Sequence, residues 1–250
     1  RRSLAVMKAK ISAARAICLL TGVAADMAEH AADETDRRRW KAREDLFTPI
    51  AKAWSTDVGV EVASAGLQAH GGMGFIEETG AAQHYRDARI APIYEGTNGI
   101  QALDLVGRKL PAQGGRAIMS WFSDIDAFVA ENGAEGPIKP FIDGLADAKK
   151  KLQEATMWLM QNGMANPDNA GAASTDYLNI FGVTALAYMW AQMAKSAQAQ
   201  VDAGSTDPYY ANKLMTGRYF VERILPDAEA HLKKMKTGAD VLMAMPAEAF

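Results

Sequence analysis

The sequence predicts an all-α protein, a helical bundle followed by a second, antiparallel helical bundle. Apolar residues recur at three- to five-residue spacing along most of the chain, the period of an amphipathic helix. No segment shows the apolar–polar alternation of a half-buried strand. Short Gly, Pro and Asn clusters, which cannot continue a helix, separate the periodic stretches.

Leu4, Met7, Ile11, Ala14, Cys18 and Val23 mark a first helix. The charged run DETDRRRW, residues 33–40, reads as a solvated turn with local ion pairs, each worth little. A second long helix is expected over Trp40–Ala69, with Pro49 either kinking it or resetting its start. HGGMGF, residues 70–75, reads as a loop, because the Gly71, Gly72 and Gly74 backbone holds no helix. A short helix over 81–88 and another from about 98 to 110 follow. Pro111, Gly114 and Gly115 make the strongest boundary and divide the chain into 1–110 and 111–250.

Beyond it four helices are expected, over about 115–132, 138–164, 174–203 and 207–236. Their breaks are Asn132-Gly133, the Asn166–Asn169 run and the Gly204–Pro208 run. Ser174 or Thr175 is expected to cap the third, and Asp207, before Pro208, the fourth. Trp158, Tyr188, Trp190, Tyr219 and Phe220 are expected to fill the core between them.

The bulk properties narrow the function. The 250 residues are 49% hydrophobic and 23% charged, as in an ordinary globular protein. A net charge of -3 implies no general attraction to nucleic acid or anionic lipid. The single cysteine, Cys18, excludes a disulfide framework within the chain. It predicts a reducing, cytoplasmic location and a buried, inert thiol. No uninterrupted apolar run reaches the roughly 18 residues that span a bilayer, so no membrane span is expected. The chain opens on Arg1-Arg2-Ser3 without methionine and enters a helical pattern at once, and is expected to be a piece of a longer polypeptide.

Three stretches can carry chemistry. In RIAPIYEGTNGIQALDL, residues 89–105, the apolar Ile93 and Tyr94 deliver Glu95 against Gly96, where a helix begins. A carboxylate in a partly dry cleft is a candidate general base, because losing water raises its proton affinity. The helix start opposes this by favouring the anion by about 0.3–1 kcal/mol. A Glu that only meets the free N–H groups of a helix start fits the same spacing. In QAHGGMG, Gln68 offers an amide, and Gly71, Gly72 and Gly74 expose main-chain N–H groups that can meet a phosphate. A plain turn between helices fits it equally. YRDARI, residues 85–90, reads as a surface ion-pair cluster of Arg86, Asp87 and Arg89. His30, His70, His84 and His231 lack metal-ligand spacing, so no metal is expected. The basic run HLKKMK, residues 231–236, suits the last turn of a helix.

Together, the residues GLQAHGGMGFIEETGAAQHYRDARIAPIYEGTNGIQ resemble the signature of the acyl-CoA dehydrogenase family over about 36 positions. Residues 1 to about 110 resemble the later helices of that family's C-terminal domain. Residues 112–250 resemble the extra helical domain of a long bacterial subgroup that includes 3-methylmercaptopropionyl-CoA dehydrogenases, as does the ending GADVLMAMPAEAF.

The resemblance implies that Glu95 is the base that removes the pro-R α-proton of an acyl-CoA, with FAD N5 accepting the β-hydride. It implies that the main-chain N–H of Glu95 helps hold the thioester carbonyl, and that Tyr94, Glu95 and Gly96 meet the substrate. Gly96 is then expected to leave room for the acyl group. Gln68, Ala69, His70, Gly71 and Gly72 match a loop on the adenine side of FAD, often from a neighbouring subunit. Thr97, Asn98 and Gly99 match a second FAD-contacting step, although the family more often carries Gln or Glu in place of Gly99.

The resemblance further implies an electron-transferring flavoprotein as acceptor and a dimer or tetramer. It also implies an N-terminal helical domain and a central β-domain that these residues lack, so this chain alone is expected to bind FAD weakly or not at all. Two other readings fit: a non-catalytic helical oligomerisation module with Glu95 as a helix cap, and an acyl-CoA oxidase-like or alkylation-damage flavoprotein.

Overall fold

The computed structural model describes residues 1–249. All the regular structure among them is helical, in the order α1 (Arg2–His30), α2 (Glu34–Ala69), α3 (Ala81–Ala88), α4 (Asn98–Asp104), α5 (Arg116–Asn132), α6 (Lys139–Trp158), α7 (Pro167–Asp202), α8 (Pro208–Arg223), α9 (Asp227–Met235) and α10 (Asp240–Met243), with short 3-10 and π turns between.

α1 and α2 form an antiparallel hairpin. Lys10 reaches Glu61 at 2.6 Å, and Cys18 Sγ lies 3.6 Å from Ser55 Oγ, so advance along one helix is retreat along the other. DETDRRRW is not a turn: Asp33 accepts from the Thr35 N–H, and the run from Glu34 onward is the first part of α2. Glu34 pairs with Arg37 and Arg38 one turn on. Arg39 and Arg43 instead reach across to Asp124 on α5. α2 runs through Pro49 without a break. Burial of Leu46, Phe47, Ile50, Ala53 and Trp54 around it offsets the cost of about 3 kcal/mol that proline imposes inside a helix.

α7 is the axis of the molecule. It packs on α6 in antiparallel sense, with Thr156 hydrogen-bonded to Tyr177 at 2.9 Å and Thr184 donating to the Ala148 carbonyl at 3.4 Å. Trp54 of α2 lies against α7 at Gly182, where a Cβ would come within 2.9 Å of the indole. Trp121 of α5 stacks on Phe181 of α7 at 4.8 Å and meets Phe47 of α2 edge-on at 5.5 Å. Residues on both sides of Pro111–Gly115 therefore share one buried apolar cluster. Trp190 and Phe220 are fully buried in it, and Trp158, Tyr188 and Tyr219 pack on its margin.

Several boundaries differ from the sequence expectation. α7 begins at Pro167, not 174, because Asn166 accepts from the Asp168 N–H at 3.0 Å and Pro167 supplies the first helical turn. Ser174 is buried inside the helix and donates to the Gly171 carbonyl. The stretch expected as one helix over 207–236 is two, α8 and α9, separated at Pro226, which has no N–H for a continuing ladder. Asp207 does cap α8, accepting from Tyr209 N–H at 2.8 Å. α4 and α6 each end in a π turn, Leu105–Lys109 and Leu159–Gly163. Asn166→Ala removes the α7 cap and is expected to cost about 0.5–2 kcal/mol, read as a lower midpoint in urea unfolding.

One further expectation is corrected on α1. Cys18 is exposed, not buried. The helix is also long and apolar enough to cross a membrane, with an 18-residue window of mean hydropathy 1.5, because Arg15 and Asp26 interrupt the pattern without lowering its average much. One face, Ala9, Ala13, Ile17 and Ala24, is buried in the bundle, while Leu4, Ile11, Leu19 and Val23 stand exposed on the other.

Candidate active-site turn and glycine loop

The chain between α3 and α4 turns back on itself at Tyr94–Asn98. The Asn98 N–H donates to the Pro92 carbonyl at 3.1 Å and closes the loop. Inside it, Glu95 has φ 53 and Gly96 φ 81, so two successive residues occupy the left-handed region. Glycine is at ease there, but a glutamate is not. A non-glycine residue in this conformation is costly and clusters at functional sites.

Glu95 stands at the surface, and the residues described form no cleft around its carboxylate, so the expected partly dry surroundings are not built by this chain. Ile93 and Tyr94 beside it are likewise exposed. No described residue accepts from the Glu95 N–H. It is free to meet a ligand oxygen.

The reason for Gly96 is local. Its φ of 81 strains any side chain, and a Cβ there would lie 2.8 Å from the Gln101 amide nitrogen. This local reason stands beside the expectation that Gly96 leaves room for an acyl group.

The turn is fastened to the middle of α2. Lys52 Nζ donates to the Gly96 carbonyl at 2.7 Å and to Asn98 Oδ1 at 2.8 Å. Asn98 Nδ2 donates to Asp57 Oδ1 at 2.7 Å, to Thr56 Oγ1 at 3.0 Å and to the Ala53 carbonyl at 3.1 Å. The Asn98 side chain is therefore spent inside the protein. Thr97 caps α4, its hydroxyl accepting from Ile100 N–H at 3.3 Å with its own hydrogen left to donate. Gly99 follows in the first turn of α4 and offers only backbone. Gln101 Nε2 approaches the Glu95 and Gly96 carbonyls at 3.4 and 3.5 Å, at the outer limit of a hydrogen bond.

Lys52, Thr56, Asp57 and Gln101 were not singled out from the sequence. Only Lys52 and Thr56, four residues apart, have a spacing that puts them on one helical face.

The glycine loop lies elsewhere. Gln68 is 16 residues beyond Lys52 on α2, about 24 Å at 1.5 Å per residue. α2 ends at Ala69, and Gly71–Gly74 is a 3-10 turn where a loop was expected. Gly74 is required for packing, since a Cβ would come within 2.3 Å of the Leu67 carbonyl. His70 Nδ1 is 2.8 Å from the Gly66 carbonyl, an arrangement that puts the ring proton on Nδ1 and leaves Nε2 as an acceptor. Gly71, at φ 62, and Gly72 have open space where a Cβ would stand. Gln68 is exposed, and no described residue engages its amide.

This bare main chain with one free amide can receive a flat or phosphorylated group. The residues present fit one face of a flavin nucleotide, through Gln68, Gly71 and Gly72, and at the other place through the Thr97 hydroxyl. They do not enclose it, and Asn98 has no group left to offer it. Between α2 and α3 an open groove of about 650 Å³ is lined by Asp57, Glu61, Gln68, Tyr85 and Arg89 among others. Arg86 leaves that cluster to form a two-point pair with Glu77 at 2.7 and 2.8 Å.

His231 sits 2.7 Å from Asp176, joining α9 to α7. Among the described residues no group of His, Cys, Asp and Glu is placed to hold a metal ion. Lys236 of the basic run pairs with Glu154.

Residues 1–110 match the family model described as acyl-CoA dehydrogenase, C-terminal domain, and residues 121–246 match that described as acetyl-CoA dehydrogenase C-terminal like. The 3-methylmercaptopropionyl-CoA dehydrogenase of Ruegeria pomeroyi is 37% identical over 98% of this chain and 42% of its own length. A butyryl-CoA dehydrogenase of Syntrophomonas wolfei is 27% identical over 100% of this chain and 42% of its own. The chain thus spans about two fifths of the length of these relatives. By fold, Caenorhabditis elegans ACDH-11 in complex with C11-CoA aligns with a TM-score of 0.75 over 97% of this chain and 39% of its own, at 17% identity. An acyl-CoA dehydrogenase complexed with FAD from Bacillus anthracis aligns with a TM-score of 0.73 over 93% of this chain and 41% of its own, at 22% identity. Matched in its two halves by these models and all-helical as the neighbours require, the chain belongs to the acyl-CoA dehydrogenase family and carries its C-terminal helical region.

Proposed function

We propose that this chain is the C-terminal part of an FAD-dependent acyl-CoA dehydrogenase that converts an acyl-CoA thioester to the 2,3-enoyl-CoA. The observation that carries the reading is the Glu95–Gly96 turn. A glutamate held in the left-handed region, with its N–H unspent, presents a carboxylate and a hydrogen-bond donor from one residue. The carboxylate takes the proton α to the thioester carbonyl. The N–H donates to that carbonyl oxygen, where negative charge grows as the proton leaves. Bound FAD supplies the hydride acceptor for the β-carbon. With Glu95 exposed, the walls of the acyl pocket in this reading come from parts of the protein beyond these residues.

The two flavin-facing places are separated along α2, with Gln68 lying 11 residues, about 17 Å, beyond the Asp57 that anchors Asn98. They suit the reading in which Gln68, Ala69, His70, Gly71 and Gly72 serve a neighbouring subunit's cofactor, while Thr97 and Gly99 serve their own. The protein is then a homo-oligomer, dimer or tetramer, in the cytoplasm, with an electron-transferring flavoprotein as its acceptor. The exposed apolar face of α1 is the observation on which a non-catalytic assembly module would rest.

Anaerobic mixing of the longest natural polypeptide containing these residues with a panel of acyl-CoAs separates the two. Bleaching of flavin absorbance near 450 nm, a property of the cofactor, supports the dehydrogenase. Absence of flavin, or of bleaching with every acyl-CoA, supports the module. Rapid reoxidation of the reduced protein by oxygen instead marks an oxidase.

A further inference from the structure

We propose that Lys52 is a positioning residue for Glu95, acting through the Gly96 carbonyl and held in place by Asn98 and Asp57. The inference rests on the reading of Glu95 as the base. Two successive left-handed residues do not hold themselves, because a glutamate at φ 53 gains by relaxing to a commoner conformation. Something must fix the peptide that follows it.

The Lys52 ammonium does so at 2.7 Å from the Gly96 oxygen, a charge-assisted bond, while the Gln101 amide stands off at 3.4–3.5 Å. Lys52 is half-buried, and its contacts are a carbonyl and an amide oxygen, not a carboxylate. A lysine on a flexible stem ordinarily moves freely. Here its second bond, to Asn98 Oδ1 at 2.8 Å, prevents that. Asn98 is in turn tied to Asp57, Thr56 and the Ala53 carbonyl, all on α2.

The chain of bonds from the Asp57 carboxylate through Asn98 and Lys52 to the Gly96 carbonyl therefore starts on one rigid helix and ends beside the base. Catalytic groups must be held to within about 0.5 Å of productive geometry, and such precision comes from supporting hydrogen bonds on rigid elements. Lys52 touches neither the acyl group nor the Glu95 carboxylate in this arrangement. Its effect falls on where that carboxylate and the Glu95 N–H point.

The test uses the full polypeptide with FAD bound. Wild type, Glu95→Gln, Lys52→Met and Lys52→Arg are mixed anaerobically with the best acyl-CoA, and flavin bleaching is followed in a single turnover. Rates are taken per bound flavin, with normal and α-deuterated substrate. Lys52→Met keeps the aliphatic stem and removes the donor. It is expected to slow bleaching about 10- to 100-fold, the scale of a misplaced reacting group. Half-saturation by acyl-CoA stays nearly unchanged, and the slowing by α-deuterium is at least as large as in wild type. Lys52→Arg restores most of the rate by returning a cationic donor.

If wild type bleaches and Glu95→Gln does not, yet Lys52→Met bleaches as fast as wild type per bound flavin, the positioning role is overturned and the base remains. A defect confined to flavin content or acyl-CoA affinity overturns it too. If wild type itself fails to bleach, the reading of Glu95 falls and takes this inference with it. Asp57→Asn leaves Lys52 in place and removes the charge that holds Asn98. It makes the same comparison, with a smaller expected loss, where Lys52→Met binds no flavin.

Discussion

Glu95→Gln slows acyl-CoA-dependent bleaching of the flavin by about 10²–10⁴-fold, the contribution of a positioned general base. The substitution keeps the side-chain length, the left-handed backbone at φ 53 and the free N–H, and removes only the group that accepts a proton. Acyl-CoA should still bind, because the N–H proposed to meet the thioester oxygen is main chain. Stopped-flow absorbance near 450 nm checks the rate, and a static titration of the variant checks binding. Equal bleaching in the variant and wild type takes Glu95 out of the reaction. Loss of binding together with loss of rate points instead to a collapsed turn.

Trp121→Ala destabilises the 250-residue chain by about 3–5 kcal/mol, the usual cost of truncating a buried large aromatic. Trp121 is 1% exposed. It lies between Phe47 of α2 and Phe181 of α7, at 5.5 and 4.8 Å. It therefore joins the 1–110 region to the 121–246 region, and its loss leaves a cavity that neither side can close alone. Because the apolar cluster is continuous, wild type should unfold in urea with coincident far-ultraviolet and tryptophan-fluorescence transitions, and the variant should shift both together. Two separate transitions, with only the later helices affected, would show two independent units divided at Pro111–Gly115. Asp124 reinforces the junction by drawing in Arg39 and Arg43 from α2. Burial pushes the Arg43 guanidinium down to about 10, against the pull of Asp124, which leaves it charged at neutral pH.

The helices were legible because their apolar period is strong, and the Asp207-Pro208 start because cap and proline stand together. What the sequence hid was mostly competition between equal signals. Asn166-Pro167 read as a break and Ser174-Thr175 as the start, yet a proline suits the first helical position and the helix begins there. DETDRRRW looked like solvated charge, yet the same residues make an N-cap, i,i+3 and i,i+4 pairs, and two long reaches to α5. Pro226 was submerged in a periodic run and ends α8. Cys18 sits in an apolar stretch, but at the edge of the α1–α2 contact beside Ser55, where it stays exposed.

The site divides the same way. Glu95 and Gly96 were visible as a lone acid beside a glycine, and their φ values of 53 and 81 give that pairing its reason. Lys52 was invisible because its bond to Gly96 spans 44 residues of sequence, and only folding brings the two together. The dry cleft was expected from the chemistry of a base, whereas Glu95 stands exposed on its turn.

The most direct test of the account is a crystal structure of the full flavin-loaded polypeptide with an unreactive acyl-CoA analogue. The account predicts a Glu95 carboxylate oxygen within hydrogen-bond reach, about 2.6–3.2 Å, of the α-carbon's proton position, with the Glu95 N–H on the thioester oxygen. An analogue bound with its thioester remote from Glu95, or with that N–H turned away from it, would contradict the account.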